Sequence, residues 1–142
     1  MNSNTRFTVA IHTLTLLARN RDEPVTSEFI ASSVNTNPVV IRRVLGALRK
    51  ARLVTSQGGN GGGWRLVGEP GTITLCDVYR AVEDRALFAL HHRPPNSECT
   101  VGRNIQRALK GHFAAATGAL EAELARTTLD DVLGEVVGAR EP

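Results

Sequence analysis

Residues 35–67 read NTNPVVIRRVLGALRKARLVTSQGGNGGGWRLV. The first half describes a helix with two faces. Asn35-Thr36-Asn37-Pro38 is a turn followed by a helix start. Asn37 or Thr36 can cap, and Pro38 suits the first helical position, where its missing N–H costs nothing. From Pro38 to about Arg52, Ile41, Val44, Leu45 and Leu48 fall within roughly 100° of one another around the helix axis. Val39, Arg43, Gly46 and Lys50 lie opposite, with Arg42 and Arg49 flanking. The helix is apolar inside and basic outside.

The second half turns on glycine, which occupies five of the six positions from Gly58 to Gly63. A phosphate-binding P-loop needs a lysine and a Ser/Thr directly after its glycines, then a helix. Here Trp64-Arg65-Leu66-Val67 follows, and it reads as a strand. The dinucleotide fingerprint fails as well, because its third glycine would fall at Trp64. A flexible linker does not fit apolar pairs flanking the run on both sides. Two short strands, 53–56 and 64–67, joined by a glycine turn satisfy the pattern.

Upstream, Phe7, Ile11, Leu14, Leu17 and Ala18 recur at helical spacing, predicting a helix over 5–19. Thr26 or Ser27 can cap a short second helix, with Phe29, Ile30 and Val34 buried. Two short helices with a tight turn, the second basic outside, form a helix-turn-helix, and a hairpin directly after it is a wing. Arg42, Arg43 and Lys50 would then face a DNA major groove. Arginine reads guanine edges bidentately, lysine mostly meets phosphate, and Val39 suits a thymine methyl. Arg65 suits a phosphate. Thr26, Thr36 and Asn37 at the helix starts, with Ser56 and Asn60 on the wing, complete the candidate DNA-contacting set.

Charge distribution agrees. Residues 1–67 carry nine Lys/Arg against three Asp/Glu, a net of +6, while residues 68–142 carry eight against eleven, a net of −3. No acidic residue occurs between Phe29 and Gly68. A one-sign field on one part of a chain suits a polyanion, here double-stranded DNA. A merely solvated basic face is the alternative.

Downstream, Thr74-Leu75-Cys76-Asp77 matches a capping box and opens a helix through about Leu87. His91 to Cys99 is a loop marked by Pro94-Pro95-Asn96. A long helix is expected from Val101 to about Ala125, and Thr128-Leu129-Asp130-Asp131 opens a last short helix ending near Val137. The expected organisation is a winged helix-turn-helix over 1–70, then a helical linker, a loop (90–100) and a long C-terminal helix with apolar positions seeking a partner over 71–142. The fold class is mainly α, with a two-stranded wing hairpin.

The 142-residue chain has no apolar run long enough for a membrane span and no signal-peptide pattern at Met1–Arg19, so a cytoplasmic location is expected. Two cysteines, Cys76 and Cys99, make neither a disulfide framework nor a four-thiolate metal site. No nucleophile–base set stands at motif spacing, so no catalytic residues and no enzyme are expected. Cys76 reads as a small buried residue. Cys99 lies just before a helix start, which can lower a thiol pKa and make it a sensor. His91 and His92 are the other candidate sensor residues, although adjacent histidines on a loop usually point apart. His12 and His112 read as packing or surface residues.

The stretch from Asn35 to Val67 resembles the Rrf-two family of bacterial winged-helix transcription regulators. The carrying motifs are L-x-K-A-x-L-V-x-S and a G-x-x-G-G-[aromatic]-x-L wing. The resemblance continues through Ile73-Thr74-Leu75, Asp77-Val78 and Ala81-Val82-Glu83. The NTNPVV start and Cys99-Thr100-Val101-Gly102 resemble the YwnA-like branch. The resemblance implies a homodimeric DNA-binding regulator, a repressor, on a near-palindromic operator, redox- or ligand-responsive. The long helix would pair across the two-fold axis through Val101, Ile105, Leu109, Phe113 and Leu120; packing back on the N-terminal helix is the other use of those residues. Trp64 would pack the wing onto the helices. Cluster-binding members carry three cysteines in the loop before the long helix, and this chain has one. No iron–sulfur cluster, other cofactor or metal is therefore expected. The alternative function is a regulatory interaction module whose main partner is a metabolic enzyme.

Overall fold

The computed structural model describes residues 3–138. Six helices and one hairpin follow in order: α1 Ser3–Arg19, α2 Ser27–Val34, α3 Pro38–Lys50, β1 Val54–Gln57, β2 Gly63–Leu66, α4 Leu75–Val82, α5 Thr100–Leu124 and α6 Leu129–Gly138, with a 3-10 turn at Pro70–Thr72. The fold is mainly helical, with a two-stranded wing and a long C-terminal helix, as the sequence pattern implied.

Local chemistry sets the boundaries. The Thr26 hydroxyl accepts from the Phe29 N–H at 3.1 Å and starts α2. Asn35 ends it in the left-handed region (φ 63°), and the Thr36 N–H donates back to the Ala31 carbonyl at 2.9 Å. Asparagine tolerates that conformation better than most residues. Asn37 then caps α3, accepting from the Val39 N–H at 2.8 Å, with Pro38 in the first turn. At the other end α3 stops at Lys50 rather than near Arg52. Arg52 is left-handed (φ 63°), its N–H donates to Arg49, and the Leu53 N–H donates to Leu48 at 3.0 Å. This is a Schellman closure with arginine where glycine is usual.

That closure shifts the wing by one residue from 53–56 and 64–67. Leu53 donates its N–H to the helix, so β1 begins at Val54. The antiparallel register sets Val54 opposite Leu66 and Gln57 opposite Gly63.

The core gathers α1, α2, α3, α4 and α6. Leu14, Leu17, Ile30, Ile41, Leu45, Leu48, Val78 and Leu129 are all buried within it. Phe29 is a correction: it is 54% exposed. The inner face of α2 is formed by Ser27, Ile30 and Ala31, with Val34 packed beside them. Those positions follow the i, i+3, i+4, i+7 rule, and Phe29 stands about 100° away from Ile30.

The Thr74/Asp77 capping box forms as expected. The helix after it ends at Val82, not Leu87. Glu83 turns extended, and the Arg6 guanidinium donates to the freed Val82 carbonyl at 3.0 Å. Residues 83–99 then run without regular structure, and Phe88 stacks on Phe113 of α5, ring centroids 4.9 Å apart. After α5 the chain returns to the core. Leu75 N–H donates to Thr127 and Leu129 N–H to Ile73, both at 2.9 Å. The Thr128/Asp131 box opens α6. Cys76 is buried, His12 lies 2.9 Å from the Ser33 hydroxyl, and His112 is exposed.

Candidate nucleic-acid interface

Because Ile41, Val44, Leu45 and Leu48 are pulled inward, the opposite side of α3 faces out. Val39 is 49% exposed, and Arg42, Arg43, Arg49 and Lys50 are exposed beside it. A Cβ added at Gly46 would meet nothing within 4 Å, so the middle of this face is open. Arg43 and Lys50 make no hydrogen bond or ion pair among the described residues. Arg42 does: its guanidinium meets the Glu28 carboxylate of α2 at 2.7 Å. Arg49 is turned sideways, its guanidinium 5.5 Å from the centroid of the Trp64 ring. Thr36 is half-buried in the turn, and Thr26 and Asn37 use their side chains as helix caps while remaining exposed.

The wing is fixed to this surface from beneath. Val25 and Trp64 exchange two backbone hydrogen bonds, at 2.9 and 2.8 Å, adding a third short extended segment beside β2. Gly63 is required there, because a Cβ would stand 2.6 Å from the Val25 carbonyl oxygen. At the tip, Gly59 adopts φ 82°, a turn conformation glycine takes without strain. Ser56 and Asn60 are exposed on the wing, and Trp64 packs its half-buried ring against the core.

Arg65 has partners within the chain. It donates to the Arg21 carbonyl at 2.9 Å and to the Asp22 carbonyl at 3.4 Å. Arg21 in turn reaches the Glu69 carboxylate at 2.7 Å and the Gly68 carbonyl at 3.0 Å. Two arginines thus tie the connector after α1 to β2 and the segment beyond it. Glu28, Arg21 and the turned Arg49 are absent from the sequence-based set. Only Glu28 had a readable signal, as the last carboxylate before the basic stretch.

The 90–100 loop holds the other candidates. Cys99 is exposed and stands at the N-terminus of α5, where the Gly102 and then the Val101 N–H hold its thiol below the ordinary value. His91 and His92 are exposed. Among the described residues no three His, Cys, Asp or Glu side chains are gathered so as to hold a metal ion. Along α5, Val101 is 67% exposed and Ile105, Leu109, Phe113 and Leu120 are half-buried. No residue of this 25-residue helix is fully buried. Its link to α4 includes an Arg80–Glu121 ion pair at 3.0 Å, which holds the Glu121 carboxyl below its ordinary range. No helix among the described residues is long and apolar enough to cross a membrane.

Comparison with known proteins places this geometry. The family profile Rrf2 (Rrf-two), described as an iron-dependent transcriptional regulator, matches residues 3–135. YwnA of Bacillus subtilis (strain 168), a candidate HTH-type transcriptional regulator, is 46% identical over 134 residues, covering 94% of this chain and 98% of its own. A crystal structure of a candidate DNA-binding protein superposes with a TM-score of 0.73 at 43% identity, over 90% of this chain and 98% of that one. The T. potens IscR structure shares the fold, with a TM-score of 0.72 at 24% identity over 97% and 90% of the two chains. The family description implies iron, but the donors within this chain do not fit a cluster. Cys99 is the lone cysteine of its loop, Cys76 is buried on α4, and among the described residues no third donor gathers with any pair of them and the histidines. The chain belongs to the Rrf2 family of transcriptional regulators, which are not enzymes.

Proposed function

We propose that this protein is a sequence-specific DNA-binding repressor that acts as a homodimer on a near-palindromic operator in the cytoplasm. One observation carries the reading. The outer face of α3 presents Val39, Arg42, Arg43 and Lys50 beside an anchored wing, in a stretch without carboxylates from Phe29 to Gly68. Residues 1–70 supply the DNA-contacting part, and Arg42 and Arg43 are the base-reading candidates. Lys50, Ser56, Asn60 and Arg65 meet the backbone, Arg65 by exchanging its carbonyl partners for phosphate. Thr26, Thr36 and Asn37 place helix N-termini toward phosphates. Residues 71–142 supply the linker, the sensor loop and the dimerisation helix. Support for the dimer is that α5 leaves its apolar residues no more than half-buried among the described residues. The two recognition helices would then sit roughly 34–36 Å apart, one helical turn of DNA. The response to redox state or to a ligand is assigned to the 90–100 loop, with the exposed Cys99 thiol as its reactive group.

The test is an anisotropy titration of the full chain onto DNA from upstream of its own gene, with competitor present, in reduced and mildly peroxide-treated arms. Six phosphate contacts predict a loss of about a thousandfold in affinity between roughly 50 and 200 mM salt. A salt-independent chain that captures a metabolic enzyme instead would replace this reading with an interaction module. A Cys99→Ser protein with an unchanged response to oxidant removes the sensor assignment and leaves the DNA-binding one standing.

A further inference from the structure

Four cations stand on the outer side of α3, and the fold treats them differently. Arg43 and Lys50 are unengaged among the described residues, and Arg49 lies over Trp64. Among the described residues Arg42 alone of the four meets a carboxylate, Glu28 of α2, at 2.7 Å. Both side chains are exposed, 54% for Arg42 and 64% for Glu28. An exposed ion pair of this kind adds little to folding. Its placement matters more. Glu28 ends the acidic residues of the N-terminal segment, and none follows until Glu69, so it is the carboxylate set against an otherwise cationic face.

We propose that Glu28 is a specificity-determining residue, which discriminates between operator and bulk DNA through Arg42. This rests on the DNA-binding reading above. A carboxylate at the face of a polyanion reader repels every duplex alike, because phosphates are the same in all sequences. The attraction it offers Arg42 competes with a phosphate, which the guanidinium would otherwise take on any DNA. The pair uses the Nη2 end of Arg42 and leaves its other N–H groups without a partner among the described residues. A guanine edge, with two acceptors spaced for a guanidinium, can meet them bidentately. A phosphate also accepts bidentately, and the difference is one of place: Arg42 meets a base edge while keeping Glu28 and reaches the backbone only by leaving it. Glu28 therefore lowers affinity for bulk DNA more than for the operator.

The experiment uses four full-length proteins: wild type, Glu28→Gln, Arg42→Gln and the double variant. Each is titrated onto a duplex selected by the wild type from a random pool, and onto sonicated mixed-sequence DNA, across a salt series. Removing one negative charge near the phosphates in a water-like dielectric is expected to tighten bulk binding about threefold per subunit, near tenfold for a dimer. The log–log salt slope should steepen by about two per dimer. Binding to the selected duplex should tighten less, so the specificity ratio falls at least about threefold. In the Arg42→Gln background the Glu28 substitution should leave that ratio unchanged. Glu28 is exposed and Gln keeps its shape, so unfolding does not confound the comparison. Bulk affinity and salt slope equal to wild type overturn the proposal. So does an unchanged specificity ratio, or an effect on the ratio that survives loss of Arg42. A wild-type chain without salt-dependent binding to either duplex overturns the DNA-binding reading, and this proposal with it.

Discussion

Two threonines of α1 offer a paired test of how the core was assembled. Thr13 is fully buried, and its hydroxyl has no hydrogen-bond partner among the described residues. Thr15, two residues on, donates to the Ile11 carbonyl at 2.7 Å. A hydroxyl taken from water without a partner costs about 1–3 kcal/mol on protein mutational scales, while a satisfied one gains about 0.5–1.5 kcal/mol. Valine nearly matches threonine in shape, and the two have similar helix propensity. Thr13→Val should therefore stabilise the protein by about 1–2 kcal/mol. Thr15→Val should be neutral or cost up to about 1 kcal/mol, since gained apolar burial offsets part of the lost bond. With a urea m-value of about 2 kcal/mol/M, the Thr13 variant moves the unfolding midpoint upward by roughly 0.5–1 M. Trp64 is the sole tryptophan, so its fluorescence reports unfolding directly. Protein concentration must be held fixed, because subunit association would add stability by mass action. A Thr13→Val midpoint at or below wild type, or the same sign and size of shift for both variants, would refute the reasoning.

Other outcomes follow from single positions. Arg52→Gly should stabilise by about 0.5–1 kcal/mol in the same urea assay, because relief of a left-handed non-glycine (about 1–2 kcal/mol) exceeds the entropy glycine adds to the unfolded chain (about 0.5–1 kcal/mol); a lower midpoint refutes it. Gly63→Ala should cost about 2–4 kcal/mol and expose Trp64, since its Cβ collides with the Val25 carbonyl and breaks the paired hydrogen bonds; a wild-type fluorescence spectrum and midpoint would contradict this. Iodoacetamide should modify Cys99 with a pH midpoint below that of a free cysteine, because the Gly102 and Val101 N–H groups favour its thiolate. The sign for folding follows: this contribution is complete above the ordinary thiol value and is lost as pH falls through the lowered one. Cys76 should react slowly, being buried, and a single rate for both thiols would argue against the assignment.

Short-range chemistry was the part of this fold most legible in the sequence. Thr26 and Asn37 cap, each one of the two candidates the pattern offers, and both capping boxes, at Thr74 and Thr128, form. Each needs only residues two or three apart, so a local reading suffices. The errors begin where distant partners decide. The helix from Leu75 stops at Val82, where Arg6, 76 residues away, takes the last carbonyl. Hydrophobicity points Phe29 inward, yet the face chosen by Ile30 and Ala31 leaves it outside. The pattern offers Arg65 to a phosphate and says nothing of its partners within the chain, which lie on the connector after α1. The Glu28–Arg42 pair joins two helices whose crossing no periodicity reveals.

The attachment of the wing has a consequence for the thermodynamics of recognition. Val25, Arg65 and the Arg49–Trp64 contact join the hairpin to the connector after α1 and to α3 before any ligand arrives. Ordering a loop residue costs about 1–2 kcal/mol of backbone entropy. For β1 and β2 that cost is met during folding, and at the tip the Gly62 N–H donates to the Gly59 carbonyl at 3.1 Å, so the turn is formed as well. A reader built this way meets a duplex as one preorganised surface, so its association entropy is governed by released counterions and water rather than by the chain itself.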